Sequence, residues 1–272
     1  MTDAHHLADG VPRLAHELDE ADRHHRPLPV PGVVELDLPA AYAVQDAFVA
    51  LRSARLRSPV RAYKVALTSA GTQAAVGAAE PASGALLAAD VLRSGAVVTA
   101  EEVNAPVVEV ELAFRVVRDL PAGADIDQVV EGTEVAGALE CPDSRYRDWF
   151  GGAFPALALP LVVADDCLAG RLVVGERWRA ARALDLETIT AELHAGDGLL
   201  ARGRSDQVLG HPAASVVWLL RQLAARGRSL PVGTVVSVGT LTPPVPFRPG
   251  SVRATFSGGL GEVDATVQRS SV

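Results

Sequence analysis

The sequence predicts an α+β protein that is mostly β, with a small helical region at its N-terminus. In the first 55 residues, apolar side chains recur at three- and four-residue spacing, which is typical of helices. From about residue 60, short valine- and leucine-rich runs alternate with Gly, Pro and Asp turns. Alternating βαβ units are absent, so a doubly wound sheet is disfavoured and a mostly antiparallel β domain with a few helices fits better.

Two helices are predicted before the β segments. Residues 11–24 carry apolar side chains on one face and charges on the other. A proline-rich connector follows at 26–32. The second helix is predicted over 40–55, because Pro39 suits a first helical turn and an apolar stripe continues beyond it.

The β domain is expected to span 61–272, after an N-terminal helical region over 1–60. Eight segments have the composition of strands and are bounded by turn residues: 62–67, 107–115, 133–139, 159–164, 171–174, 184–191, 234–238 and 252–256. One further helix is predicted over 212–226, with Pro212 at its start and Gly227 at its end.

Composition and motifs exclude several classes of protein. A net charge of −8 argues against a nucleic-acid-binding surface. Cys141 and Cys167 form neither a disulfide framework nor a zinc motif, so a reducing cytoplasm is expected. No signal peptide is predicted, and the longest apolar run, at 153–164, is too short and too interrupted by prolines to span a membrane. Phosphate-binding loops and nucleophile elbows are also absent, which disfavours ATP hydrolysis and serine-hydrolase chemistry.

Three glutamates are the leading candidates for a chemical role. Glu109 and Glu111 lie two residues apart in a predicted strand and therefore project from one face. Paired carboxylates repel each other and resist desolvation, so they are tolerated when exposed, protonated or neutralised by a cation. With Glu140 they would form an all-oxygen site suited to Mg²⁺ or Mn²⁺. The same spacing is typical of the wet face of an antiparallel sheet, so spacing alone leaves both interpretations open.

Four other residues have two interpretations each. Lys64, a lone cation in an apolar strand, either faces solvent or lies in a pocket among carboxylates or a substrate acid. Ser69 lies at a predicted helix start, where it would cap the helix by default or, as a second interpretation, bind the substrate. Arg145 would form a surface ion pair or hold a substrate carboxylate in bidentate geometry. His211 precedes the 212–226 helix, where it would be structural or would face an anion bound at that helix end.

Seven short segments follow one another in an informative order: AAYAVQ at 40–45, YKVALTS at 63–69, VEVE at 108–111, ALE at 138–140, SRYRDW at 144–149, LGHP at 209–212 and VWL at 217–219. In this order they resemble the 2-keto-4-pentenoate hydratase and 4-oxalocrotonate decarboxylase branch of the fumarylacetoacetate hydrolase superfamily. The resemblance runs from about residue 10 to residue 268. It implies a twisted mixed β-roll with a smaller N-terminal helical region, assembled as a homo-oligomer.

The resemblance also implies a set of site residues and an activity. Glu109, Glu111 and Glu140 match the three ligands of a Mg²⁺ or Mn²⁺ ion, and Lys64 matches a lysine that lines the substrate pocket. The implied activity is that of a divalent-metal-dependent lyase, which acts on a small 2-oxo or 2-hydroxy-enoic acid through a metal-stabilised enolate. Neither nucleic acid nor membrane is expected as a partner.

One departure from the family pattern leaves the reaction type open. Hydratases of this branch carry an acidic residue after the lysine strand, where this chain has Ala82, and alanine can neither activate water nor shuttle a proton. Decarboxylases of the branch also lack that acid, but they keep a bulky residue where Ser83 stands, so a larger or different substrate is expected. The alternatives are a C–C hydrolase or tautomerase with a specialised biosynthetic substrate, and a non-catalytic ligand-binding relative.

Overall fold

Two mixed β-sheets form the centre of the fold, and helices cover them. The structure, a computed structural model, describes residues 3–32, 34–150 and 156–269, with side chains described from residue 10 onward. Its helices are α1 (Asp3–His24), α2 (Leu38–Leu56), α3 (Ala70–Val76), α4 (Ile126–Glu131), α5 (Leu159–Ala164) and α6 (Ala213–Ala225). Its strands are β1 (Val60–Ala66), β2 (Ala82–Leu87), β3 (Val91–Arg93), β4 (Ala96–Thr99), β5 (Val107–Val116), β6 (Thr133–Cys141), β7 (Arg171–Val174), β8 (Arg179–Ala180), β9 (Thr190–Ala195), β10 (Gly198–Arg204), β11 (Val235–Thr240), β12 (Val245–Pro246), β13 (Gly250–Phe256) and β14 (Gly261–Gln268).

The larger sheet has nine strands and the smaller has five. The larger runs in the order β2-β1-β11-β5-β6-β7-β3, with β12 added at β5 and β8 at β6. The smaller runs β10-β9-β13-β14-β4. Parallel pairs (β1 with β11, β3 with β7, β14 with β4) occur among antiparallel ones, so both sheets are mixed.

The long strand β5 separates two environments. Its even-numbered residues, Val108, Val110, Leu112 and Phe114, are fully buried in the main apolar core. Its odd-numbered residues face the other way, because successive side chains in a strand alternate between faces. That second face carries the two glutamates of the VEVE segment, and this alternation positions the candidate site.

The N-terminal helices close over the larger sheet. An apolar cluster joins α1 and α2, through residues such as Leu18 and Phe48, to residues of the β region such as Trp149 and Leu168. Ion pairs reinforce the contact: Arg52 of α2 binds Asp22 of α1 and also Asp90, which follows β2. The helical region is therefore packed directly against the part of the sheet that holds the candidate site.

Two predicted strands are wrong. Residues 159–164 form α5, with Pro160 in its first turn and its last four residues buried. Because a short apolar run suits a buried helix and a buried strand equally, its composition could not decide between them. In 184–191 only the last two residues are in a strand, because a turn in which Asp185 accepts the Thr188 N–H comes first.

Several strands were not predicted, among them β2 and β14. Predicted helices at 11–24, 40–55 and 212–226 correspond to α1, α2 and α6, with α1 beginning earlier than expected. In the described part of the chain, none of the helices combines the length and apolarity needed to cross a bilayer.

Candidate active site

The register between β5 and β6 brings the three glutamates together. Glu109 lies directly opposite Glu140, and Glu111 lies opposite Ala138. One carboxylate oxygen from each of Glu109, Glu111 and Glu140 lies within 4.8 Å of the others. Their exposed fractions are only 7%, 2% and 0%, respectively. The wet-face interpretation of the VEVE segment is therefore wrong.

Burial makes this cluster costly unless a positive charge joins it. Desolvation is the main factor that raises the pKa of Glu109 well above its ordinary value, and the charge of Glu140 adds to it. The same two causes raise the pKa of Glu111 to about 7. Desolvation also raises the pKa of Glu140. A hard dication would relieve both the repulsion and the desolvation, so the donor set fits Mg²⁺ or Mn²⁺.

Lys64 supplies one positive charge to the cluster. It is buried in β1, and its Nζ lies 2.7 Å from Oε1 and 2.8 Å from Oε2 of Glu140. Desolvation alone would lower the pKa of Lys64, but Glu140 and Glu109 together raise it above the ordinary value. The lysine is therefore a protonated, buried cation, and it does not face solvent.

Strand β11 lies between β1 and β5 and orients Glu111. Ser237 Oγ donates a hydrogen bond of 2.5 Å to Glu111 Oε2, and the Gly239 N–H donates one of 2.9 Å to the same oxygen. At Gly239, φ is +116°, and an added Cβ would lie 2.1 Å from Thr68 Oγ1. Only glycine fits there, because the position demands both a left-handed backbone and the absence of a side chain.

A cavity of about 210 Å³ opens onto Lys64 and the three glutamates. Polar residues contribute to its lining: Thr68, Ser69, Thr72, Gln207, Thr240 and Thr242. Apolar and sulfur-bearing residues complete much of the rest: Val107, Pro142, Trp149, Val162, Cys167 and Leu168. The structure therefore brings four predicted site residues and Ser69 to one small chamber, where Ser69 also caps α3 through the Thr72 N–H.

Arg145 and His211 are not among the residues that line this cavity. The Arg145 guanidinium is buried against Asp165, and Nδ1 of His211 accepts a hydrogen bond from the Ala213 N–H at the start of α6. The expectation of a surface ion pair for Arg145 is therefore wrong, and its contacts in the structure are to protein groups. The recorded contact of the His211 ring is therefore to the backbone of α6, and a role in substrate binding stays a prediction.

Sequence reasoning missed some residues that shape the site. Ser237 and Gly239 lie in and beside the predicted strand 234–238, and a serine within an otherwise valine-rich strand was the available signal. Cys167 and Leu168 lie between predicted elements, and nothing in their local pattern indicated that they reach the cavity. Ala82, in contrast, was singled out from the sequence; it is buried and lies opposite Ala66 of β1, which lines the cavity.

Comparison with known proteins agrees with this architecture. Residues 61–268 match the family model described as fumarylacetoacetate (FAA) hydrolase C-terminal. The chain is 32% identical over 231 residues to 2-keto-4-pentenoate hydratase 1 of Dechloromonas aromatica (strain RCB), covering 84% of this chain and 85% of that protein. It is 31% identical over 261 residues to 4-oxalocrotonate decarboxylase of Pseudomonas sp. (strain CF600), and the match covers 94% of this chain and 96% of that protein.

A solved structure is similar over nearly the whole chain. It is 4-oxalocrotonate decarboxylase from Pseudomonas putida G7, complexed with magnesium and adipate, with a TM-score of 0.87 and 26% identity over 97% of this chain and 98% of that chain. The predicted fold class, mostly β with mixed curled sheets, is confirmed by this likeness. The chain belongs to the fumarylacetoacetate hydrolase family, and its relatives within it include hydratases and decarboxylases.

Proposed function

We propose that the protein is a divalent-metal-dependent lyase that acts on a 2-oxo or 2-hydroxy-enoic acid. The observation that carries this proposal is the buried cluster of Glu109, Glu111 and Glu140 beside Lys64, open to a small cavity. The glutamates would hold Mg²⁺ or Mn²⁺. A bound dication would act as a Lewis acid and stabilise the negative charge that develops on the 2-oxygen of the substrate.

Lys64 and Trp149 have complementary roles in this proposal. Lys64 is held protonated by its carboxylate neighbours, so it donates hydrogen bonds and positive charge; it is not poised as a general base. The buried indole N–H of Trp149, which lines the cavity, has no hydrogen-bond partner among the described residues. Because that nitrogen has almost no accessible surface, Trp149 contributes its apolar ring to the cavity wall and not a hydrogen bond to the substrate.

The cavity lining favours decarboxylation over hydration. Besides Lys64 and the three glutamates, Cys167 supplies the remaining titratable side chain among the described lining residues, and burial raises the pKa of its thiol. Hydration needs a group that activates water, and Ala82 cannot supply one. Loss of a distal carboxylate from a 2-oxo-enedioic acid needs no base: the C–C bond breaks, CO₂ leaves, and the electron pair moves through the conjugated chain to the 2-oxygen.

Hydration is kept as a second candidate, because relatives at 32% identity are named 2-keto-4-pentenoate hydratases. One experiment separates the two. The Mg²⁺-loaded protein is incubated in parallel with 2-oxohex-3-enedioate and with 2-hydroxypenta-2,4-dienoate, while CO₂ release and ultraviolet absorbance are followed. CO₂ from the first substrate supports decarboxylation, whereas loss of dienoate absorbance without CO₂ supports hydration. If neither substrate reacts, with or without Mn²⁺, the proposed function is wrong.

A further inference from the structure

A left-handed backbone segment forms part of the cavity lining. Asp166, Cys167 and Leu168 have φ values of +52°, +49° and +60°, and none of them is glycine. Three consecutive L-residues in this region are strained, because each Cβ crowds its neighbouring carbonyl. The segment is buried, and Cys167 and Leu168 line the cavity of the glutamate cluster. Strain at such a place requires surrounding contacts that impose it.

Strand β2 supplies some of these contacts. The Asp166 carbonyl oxygen lies so close to Gly84 that an added Cβ would be 2.2 Å away, so only glycine allows the approach. Oδ1 of Asp166 accepts the Ala85 N–H at 2.8 Å, and the Cys167 thiol donates to the Ser83 carbonyl at 3.1 Å. These contacts hold one side of the segment against the sheet.

Arg145 holds both ends of the segment. Its Nη2 donates to the Asp165 carbonyl at 2.7 Å, and its Nη1 donates to the Ala169 carbonyl at 2.8 Å. Its Nε and its backbone N–H bind the two oxygens of the Asp165 carboxylate. One planar guanidinium therefore joins the residues immediately before and after the three strained ones. The guanidinium carbon of Arg145, Cζ, also lies 5.4 Å from the centre of the Phe48 ring of α2.

We propose that Arg145 is a positioning residue for the substrate cavity. It keeps Cys167 and Leu168 in the lining by fixing the ends of the left-handed segment, and it does so without contacting the substrate. A lysine cannot replace it, because a single ammonium cannot reach both carbonyls in the fork geometry of a guanidinium. The inference rests on the proposed function, since it assigns a role within that same site.

The test measures binding in two steps. Calorimetry gives the affinity for Mg²⁺ and then the affinity of the Mg²⁺-loaded protein for 2-oxoadipate, a 2-oxo diacid that lacks the alkene. For Arg145→Lys we expect Mg²⁺ affinity within about twofold of the parent, because the glutamates lie on β5 and β6, and 2-oxoadipate affinity at least about tenfold weaker. Arg115→Lys is the matched control. It alters a half-exposed pair with Glu134 and should change neither affinity.

Leu168→Ala is the second variant, because it trims the lining directly and leaves the Arg145 contacts in place. It should reproduce the weaker 2-oxoadipate binding with unchanged Mg²⁺ affinity. The inference is overturned if Arg145→Lys folds and binds 2-oxoadipate with unaltered affinity. If Arg145→Lys does not fold, unaltered 2-oxoadipate affinity in Leu168→Ala overturns it. An equal loss of Mg²⁺ affinity would also overturn it, because the effect would then not be confined to the lining. A parent protein that binds no 2-oxoadipate in the presence of Mg²⁺ or Mn²⁺ would instead refute the proposed function.

Discussion

Lys64 Nζ lies within 2.8 Å of both carboxylate oxygens of Glu140, and both residues are almost completely buried. Two further carboxylates, Glu109 and Glu111, share this environment. Three formal negative charges and one positive charge leave an imbalance that one dication would remove. The lysine therefore offsets part of the cost of burying the carboxylates and leaves a net negative charge that a metal ion would balance.

Removal of this ammonium should destabilise the metal-free protein. Lys64→Met leaves the glutamates without their buried partner, and loss of one member of a buried ion pair typically costs about 3–5 kcal/mol. We expect a fall of that order in the free energy of unfolding, measured with urea in the presence of a chelator. Saturating Mg²⁺ should restore more stability to the variant than it adds to the parent.

The matched control for Lys64→Met is Arg115→Met, which breaks the half-exposed pair with Glu134. Exposed pairs contribute about 0–1 kcal/mol, so this variant should stay close to the parent. Equal losses in the two variants would show that the Lys64 pair gains nothing from its burial.

Glu140 should be required for metal binding. Glu140→Gln keeps the size of the side chain but removes the charge from the residue that lies opposite Glu109. Because loss of groups that merely support metal ligands costs about 10–100-fold in affinity, loss of a ligand should weaken Mg²⁺ binding by at least about 100-fold. Calorimetry and a metal count on the purified protein measure this directly.

The control for this variant lies on the same strand. Glu134→Gln removes a half-exposed carboxylate of β6 and should leave metal binding unchanged. If Glu140→Gln still bound Mg²⁺ like the parent, the glutamate cluster would not be the metal site.

Position 82 should control the balance between hydration and decarboxylation. Ala82 lies opposite Ala66, which lines the cavity, so the longer side chain in Ala82→Asp would bring a proton-transfer group toward the cavity. General acid–base groups contribute about 100- to 10,000-fold when well placed, so we expect hydration of 2-hydroxypenta-2,4-dienoate to rise by at least about tenfold. Ala82→Asn has the same size but no basic carboxylate. Equal hydration rates in the two variants would contradict the prediction.

The sequence predicted the centre of the site better than its surroundings. Glu109 and Glu111 were identifiable because alternation along a strand places them on one face, and Lys64 stood out as a lone cation in an apolar strand, although its local sequence left a solvent-facing position open. Their convergence with Glu140 depends on the register between β5 and β6, which local composition does not encode. The family resemblance supplied that pairing.

Other features depend on contacts distant in sequence. Arg145 carries the same side chain whether it binds a substrate acid or Asp165, and only the fold decides between them. The left-handed segment at Cys167 contains no glycine that would reveal it. The helix at 159–164 was mistaken for a strand because six apolar residues fit both structures.

The pH dependence of stability gives a final test, carried by Glu111. Its pKa in the folded protein is raised to about 7, so the folded state holds a proton that the unfolded chain, with an ordinary pKa of about 4.3, releases. Protonation of Glu111 therefore stabilises the fold; this contribution is complete below about pH 4 and is lost as the pH rises through about 7. A shift of this size corresponds to about 4 kcal/mol.

Urea unfolding of the metal-free protein between about pH 4 and about pH 8 measures this loss, and Glu111→Gln isolates it because glutamine does not titrate. As the pH rises, the free energy of unfolding of the parent should fall relative to that of Glu111→Gln. Ser237→Ala should move the transition to higher pH, because the Ser237 hydroxyl lowers the pKa of Glu111 through its hydrogen bond. A pH-independent difference between parent and Glu111→Gln would mean that Glu111 does not titrate in this range and that the cluster is not electrostatically strained.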